Sequence, residues 1–588
     1  MSGMRVEWDV AVPMRDGTTL HADVYSPTAH PGPWPVLLQR TPYNKRVTAF
    51  HYLDEVRAVD RGYAVVIQDV RGRFASEGDF EPFHQEIDDG YDTVEWCGLQ
   101  SWSSGNVGMY GGSYVGTVQW LASIGHPPHL TCIVPAFTCS DHYEGWTYQG
   151  GALQTLFLTS WLLPFLTPAD VARKVQDPRR VAELNKQLAD LVDGLHDACE
   201  QFDRTGTMPI AAEYSPYLRD WLEHPTRDAF WTPLSIEDRY SEVTVPSFNI
   251  GSWYDIWVDG TIRNFLGVRE RAATAAARDG SRLLVGPWIH DGASSSVAGS
   301  YDSGIRSSRS SAPMGFDLDG EVLDFFDQWL KPQEAEAVAF DSLVKLFVMG
   351  KDTWRVEDEW PLPLTAHRTY YLHSDGSASS DIAAGTLTET LPGDEPTDHY
   401  VYDPEHPVPT VGGQLCCYWV RFPAGGFDQT MVESREDVLV YTTAAFQADV
   451  EVSGPITLVL WAATSAVDTD FTAKLVVVAL DGSTRNLTDG ILRVRFRGGM
   501  AEPLPTTPGE AYEYRINLGW TCNVFAAGHR MRLEISSSNF PRFDRNPNTG
   551  QNGGAKQYMI AADQTIYHDA NRPSHLVVPI RRHGSRRR

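Results

Sequence analysis

Val107-Gly108-Met109-Tyr110-Gly111-Gly112-Ser113-Tyr114-Val115-Gly116 carries the fold in miniature. Its first four residues read as a short strand, and Tyr114 to Ser123 as the start of a helix. The glycines between them read as a tight turn with Ser113 at its apex. A serine held on a strand–turn–helix is the context of a nucleophile elbow. Glycines flank it because the turn brings backbone segments too close for a Cβ. The helix also points its dipole and free N–H groups at any anion that forms above the serine. The pattern departs from G-x-S-x-G, because Val115 stands where the last glycine would be and Gly116 follows it. No Lys-Ser/Thr pair follows, so a phosphate loop is excluded. For this motif alone a plain strand-to-helix turn is the alternative.

Working outward, Pro35–Gln39, Tyr63–Gln68, Cys132–Val134, Pro246–Ile250 and Leu283–Val285 are continuous apolar runs of strand length, with a helical stretch at 86–97. Such runs belong to a mostly parallel sheet covered on both faces, an α/β pattern. Residues 5–26 alternate as short strands around a turn at Arg15-Asp16-Gly17. Residues 140–235 are helix-like, first aromatic and then charged, and about 100 residues are too many for one crossover. They read as a helical cap inserted over the site. From about 352 onwards short strands and turn residues predominate, as in a β-sandwich of jelly-roll type. The expected division is an α/β core at 1–139 and 236–351, a cap at 140–235 and a jelly-roll domain at 352–588.

With 49 basic and 76 acidic residues the net charge is −27, which argues against nucleic acid or an anionic membrane as partner. The basic end, Arg581 to Arg588, reads as a frayed tail. Seven scattered cysteines without a CxxC pair fit a reduced, intracellular chain; Cys416 and Cys417 are neighbours, not a metal-ligand spacing. The N-terminus lacks a signal-peptide apolar region, and no run of about 18 apolar residues is expected to span a bilayer. A cytoplasmic protein is the expectation. No H-E-x-x-H, zinc-type Cys/His spacing or dinucleotide fingerprint is present, so no cofactor or metal is implied.

The elbow needs partners. In α/β-hydrolases the order is nucleophile, acid, histidine, each just after a sheet strand. Asp255 follows the strand near 246–250, and His290 follows the strand at 283–285. His290 would take the Ser113 proton and Asp255 would fix its tautomer. Asp259 is the runner-up acid, further from the strand end.

Beyond these residues the chain resembles the cocaine esterase-like family of α/β-hydrolases, in the X-Pro dipeptidyl-peptidase superfamily, nearly end to end. The resemblance rests on Pro13-Met14-Arg15-Asp16-Gly17, Arg40-Thr41-Pro42-Tyr43, Gln68-Asp69-Val70-Arg71-Gly72 with Ser76-Glu77-Gly78, the Ser113 elbow, Trp253-Tyr254-Asp255 and Gly286-Pro287-Trp288-Ile289-His290. In the C-terminal part, Ala466-Val467-Asp468-Thr469-Asp470-Phe471 and Ser536-Ser537-Ser538-Asn539-Phe540-Pro541 match as well. It implies an α/β-hydrolase core, a helical cap and a C-terminal jelly roll. It also assigns the Tyr43 hydroxyl and the Tyr114 backbone N–H to the oxyanion hole, and makes a homodimer an expectation.

The resemblance further places Trp146, Trp161 and Trp257 around an aromatic acyl pocket, with Cys416 and Cys417 replacing larger apolar residues at its edge. Relatives that resemble α-amino acid ester hydrolases carry carboxylates two and three positions after the triad Asp. Trp257 and Val258 stand there instead. The expected substrate is therefore a small ester, or an amide, with an apolar or aromatic acyl group. The alternatives are an X-Pro dipeptidyl-peptidase, an acylase or α-amino acid ester hydrolase, and, in another class, a carbohydrate-binding protein acting through its jelly roll.

Overall fold

The computed structural model describes residues 3–47, 52–290, 292–309, 314–331, 343–363, 365–417, 420–551 and 558–581. The apolar runs assemble into one ten-stranded sheet. Its strands are β1 (Met4–Pro13), β2 (Thr19–Pro27), β3 (Trp34–Thr41), β4 (Ala64–Asp69), β5 (Ser103–Gly112) and β6 (Leu130–Ala136). They continue as β7 (Phe248–Ser252), β8 (Arg282–Gly286), β9 (Val344–Val348) and β10 (Thr353–Glu357). The spatial order is β1-β2-β4-β3-β5-β6-β7-β8-β9-β10. From β4 to β9 neighbours run parallel. At the two ends of the sheet β1, β2 and β10 pair antiparallel, with β1 and β10 as the edges. Every residue of β4 is buried, which is why it reads as a continuous apolar run and not as an alternation.

Between β6 and β7 lies the insertion. Its helices are Thr155–Trp161, Thr167–Lys174, Pro178–Asp193, Leu195–Thr205, Pro209–Tyr214 and Tyr217–Glu223. A single π-turn, Leu162–Leu166, joins the first two. The continuous helix Thr155–Lys174 corrects one expectation, since by length and composition it could cross a membrane. Its apolar window is 72% buried inside the protein, however, where Leu158, Leu162, Leu163 and Leu166 join the aromatic cluster. Apolar length here reflects interior packing.

The C-terminal part is β-rich, a twelve-stranded sheet system whose longest strand, Val450–Thr464, pairs antiparallel with Tyr512–Phe525. Ile456, Leu458, Leu460 and Ala462 alternate into its core. Of the basic tail, Arg581 pairs with Glu357 at 3.0 Å, and residues 582–588 lie outside the described residues.

All three parts are fastened around one end of the sheet. Buried Arg73, just beyond β4, donates to the Pro42 carbonyl and to Asp170 of the cap at 3.1 and 2.8 Å, and to the Leu166 carbonyl at 3.1 Å. Asp203 of the cap receives Arg545 from the β domain at 2.6 Å. Leu156 N donates to the Pro541 carbonyl at 2.9 Å, and Arg493 N to the Gly150 carbonyl at 2.8 Å. The Asp468–Asp470 segment supplies carboxylates to Arg493 and Arg495 in the same buried cluster.

Arg73 and Asp170 are both almost fully buried, so removing one charge strands the other. Arg73→Met is expected to lower the unfolding free energy by about 3 kcal/mol. Denaturant unfolding would show it, and an unchanged midpoint would contradict the role given to the pair.

Candidate active site

Ser113 lies between the end of β5 and the helix Tyr114–Ile124, at φ 62° and ψ −130°. Two glycines make room for this turn. Gly111 is at φ 132°, and a Cβ there would stand 2.2 Å from Val115 Cγ1. A Cβ on Gly116 would stand 2.9 Å from the Ala136 carbonyl at the end of β6. The irregular spacing in the sequence therefore has a steric reason. Val115 covers Gly111, and Gly116 is the helix position that meets β6. The turn is held by Ser113 N donating to the Ala136 carbonyl at 2.9 Å and by Thr138 Oγ1 donating to the Ser113 carbonyl at 2.9 Å. Tyr114 is the first helical residue, so its N–H has no acceptor within the helix.

Asp255 and His290 follow the adjacent parallel strands β7 and β8. Beyond the strand ends the two loops stay joined. Trp253 N donates to the Gly286 carbonyl at 2.9 Å, Tyr254 N to the Trp288 carbonyl at 3.1 Å and Ser252 Oγ to the Ile289 carbonyl at 3.1 Å. His290 Nδ1 meets Asp255 Oδ1 at 2.7 Å, and the Asp255 side chain is completely buried. A carboxylate only accepts, so Nδ1 carries the proton and Nε2 keeps its lone pair. Asp259 is placed elsewhere: it receives Trp520 Nε1 at 2.7 Å and Arg263 Nε at 2.9 Å, beside a cavity of about 90 Å³ that Trp257 also borders. Burial pushes the Glu144 carboxyl at that cavity up to about 7.

Tyr43 is buried at the end of the β3 loop. Its hydroxyl is hydrogen-bonded to Ser113 and accepts Trp161 Nε1 at 2.9 Å. Burial drives its pKa well above the usual phenol value, so the hydroxyl keeps its proton. The Tyr114 ring is fixed in turn, its hydroxyl donating to Glu86 Oε1 at 2.9 Å, while Glu86 pairs with buried Arg40. That gives the Arg40-Thr41-Pro42-Tyr43 segment two tasks: Arg40 anchors the elbow's flank and Tyr43 faces the serine.

Trp146, Trp161 and Trp257 are all buried in one apolar cluster with Tyr43, Cys416 and Cys417. Trp146 stacks on Trp257 at 4.3 Å, and Trp257 presents its edge geometry to the His290 ring at 4.8 Å. The sequence shows Phe157 only as one of the cap's aromatic residues, yet it stacks on Trp161 at 5.3 Å, and Phe83, not singled out in the sequence, stacks on Tyr114 at 4.5 Å. Nor does the sequence show that Trp161 supports Tyr43. The aromatic patches of the cap are visible in the sequence, but nothing in them distinguishes a wall from a hydrogen-bond donor.

The cysteines require a correction. The chain was expected to be reduced throughout, yet Cys416 and Cys417 are joined as a disulfide. Neighbours on an extended segment point to opposite sides, so sequence spacing argues against such a pair. Here Cys417 takes φ 81°. Cys97, Cys132, Cys139, Cys199 and Cys522 are free and buried.

A buried carboxylate–imidazole pair at strand ends of the sheet that also carries a strained serine turn fits a serine ester hydrolase, and comparison with known proteins puts the chain in that class. Residues 16–292 match the model of the X-Pro dipeptidyl-peptidase (S15 family), and residues 338–577 that of the X-Pro dipeptidyl-peptidase C-terminal non-catalytic domain. Cocaine esterase of Rhodococcus sp. (strain MB1 Bresler) is 38% identical over 97% of this chain and 98% of its own. A putative serine esterase of Mycobacterium bovis is 26% identical over 90% of each chain. Among solved structures, an α-amino acid ester hydrolase superposes with a TM-score of 0.79 at 23% identity, over 98% of this chain and 97% of that one. The chain belongs to the cocaine esterase-like family of α/β-hydrolases, within the X-Pro dipeptidyl-peptidase superfamily.

His142 packs against Phe83 and Trp146, with Nδ1 bonded to the Leu234 carbonyl at 2.9 Å. Burial lowers its pKa to about 4. The folded state thus favours the neutral ring, so this contribution is complete above the unfolded value of about 6.5 and is lost as pH falls from there toward 4. Relative to His142→Gln, the wild type is expected to lose up to about 3 kcal/mol of stability across that window. Thermal melts of both proteins at stepped pH would show parallel curves if His142 stayed exposed to solvent.

Proposed function

We propose that the chain hydrolyses carboxylic esters of apolar or aromatic acids through an acyl-enzyme on Ser113. The observation that carries this reading is the 2.7 Å contact between Asp255 and His290, on neighbouring strand ends of the sheet that also ends in the Ser113 elbow. His290 Nε2 takes the Ser113 proton as Oγ attacks the ester carbonyl. Asp255 holds the tautomer and stabilises the imidazolium. The tetrahedral oxyanion receives the Tyr43 hydroxyl and the Tyr114 N–H, two donors in a site lined by apolar rings. Trp161 supports Tyr43 in this role. By donating into the phenol oxygen it makes the remaining O–H a stronger donor.

The protonated imidazole then gives its proton to the leaving alcohol. Water repeats the sequence on the acyl-enzyme and frees the acid. The acyl side rests among Trp146, Trp161, Trp257 and Phe157, one apolar cluster, and Trp257 and Val258 stand where ammonium-binding relatives would carry carboxylates. That favours an apolar acyl group over an N-terminal aminoacyl group, and ester over X-Pro amide. The Rhodococcus relative, named as an esterase, supports the same preference. We further place the activity in the cytoplasm, on small esters, with neither nucleic acid nor membrane as partner; a homodimer follows from the family likeness alone.

Ser113→Ala is expected to abolish turnover of aryl esters and labelling by a fluorophosphonate; full turnover by that variant would refute the acyl-enzyme. Tyr43→Phe is expected to lower kcat by roughly 10²–10³ with KM little changed. Trp161→Phe should lower it less, and should add little to Tyr43→Phe, since the tryptophan acts through that hydroxyl. The ester preference is settled by a panel of phenylacetyl, benzoyl, alkyl, aminoacyl and X-Pro substrates, with amide turnover above ester turnover reversing it.

A further inference from the structure

The Cys416–Cys417 pair does more than edge a pocket. The β domain carries it on a loop pinned by reciprocal bonds between Gly413 and Gly425, at 2.7 and 2.9 Å. Gln414 Nε2 donates to the Trp253 carbonyl at 3.1 Å, two residues before Asp255. Ser160 of the cap donates to the Cys416 carbonyl at 3.4 Å. All three parts of the protein thus fix this loop, and they bring it to His290. One ring nitrogen of His290 and the sulfurs of Cys416 and Cys417 lie within 4.8 Å of one another. Because Nδ1 is committed to Asp255, Nε2 is the nitrogen with a lone pair to offer.

We propose that the reduced pair and His290 Nε2 form a binding site for a soft divalent cation, zinc or cadmium, whose occupancy switches the hydrolase off. The step balances simply. A thiol reductant cleaves the Cys416–Cys417 bond, two electrons and two protons giving two thiols while the reductant becomes a disulfide. The cation then displaces both thiol protons to solvent and binds two thiolates and the imidazole.

Three features favour this ligand class. Two thiolates and an imidazole are a donor set of structural and catalytic zinc sites, with a fourth position left for water. Two thiolates cancel a dication, so the complex is neutral among apolar rings, where an isolated thiolate pair would be costly. Finally, Asp255 supplies the carboxylate partner that metal-bound histidines commonly have on their other nitrogen. The cation ties up the lone pair that accepts the Ser113 proton. In a compartment that keeps thiols reduced, the site would exist in its binding form.

The test uses the full-length protein, reduced with a thiol and desalted without oxygen, and titrated with cadmium chloride. The reduced protein is expected to develop the ultraviolet thiolate-to-cadmium charge-transfer band, saturating at one equivalent, and to lose ester turnover in step; chelation by EDTA restores both. Oxidised protein should show neither response. Asp255→Asn is expected to weaken cadmium by roughly 10–100-fold, read from the band. Cys416→Ser with Cys417→Ser should show no band, each variant being compared with its own metal-free state. A band of equal size in oxidised protein, saturation at several equivalents, or inhibition without a band would overturn the proposal. The loss of turnover rests on His290 being the base, whereas the band does not. Ser113→Ala, reduced, should still give the band, which separates failure of this site from failure of the hydrolase reading.

Discussion

Ser113 sits in a backbone conformation that costs a residue with a side chain about 1–3 kcal/mol, and the surrounding structure has to hold it there. The restraint comes from both sides of the turn. Ala136, at the end of β6, accepts the Ser113 N–H, and its carbonyl leaves no space for a side chain at Gly116. Thr138 takes hold of the Ser113 carbonyl. The parallel pairing of β5 with β6, in register to Gly112 and Ala136, fixes where that carbonyl stands. Strain at the serine is thus sustained by sheet register, and everything else in the site is arranged around a point that cannot drift.

The other candidate groups come from different segments. Tyr43 comes from the loop after β3, fixed by Arg73 at the Pro42 carbonyl. Asp255 and His290 come from neighbouring strand ends, and Trp146 and Trp161 from the cap. Cys416 and Cys417 come from the β domain. The buried polar groups that bind these segments together, Arg40 with Glu86, Arg73 with Asp170 and Arg545 with Asp203, are paired charges on which separate parts converge. Paired burial of this kind is unforgiving when half is removed, which suits contacts that must define one arrangement.

The α/β order, the insertion and the β-rich end were legible because burial on both sheet faces writes itself as apolar runs, and a change of period marks each boundary. The Ser113 turn and the pairing of Asp255 with His290 were legible because all three residues follow strands. Tyr43 needed the family likeness; its segment alone says only that a tyrosine follows a proline. Trp161 as a donor, Arg73 as a fastening and the proximity of Cys416 and Cys417 to His290 were not legible. Each depends on the folding together of residues far apart in the chain, and none leaves a periodic trace. The helix Thr155–Lys174 shows the reverse failure, an apolar stretch whose meaning depends wholly on what surrounds it.

The cap is tied to the β domain at Asp203, Leu156 and Gly150, and to the core through Asp170. A cap held at so many places can shift only by giving up several of these bonds together. The cap and the strained turn are thus secured separately: loosening the cap's contacts would leave the Ser113 turn still held by Ala136 and Thr138.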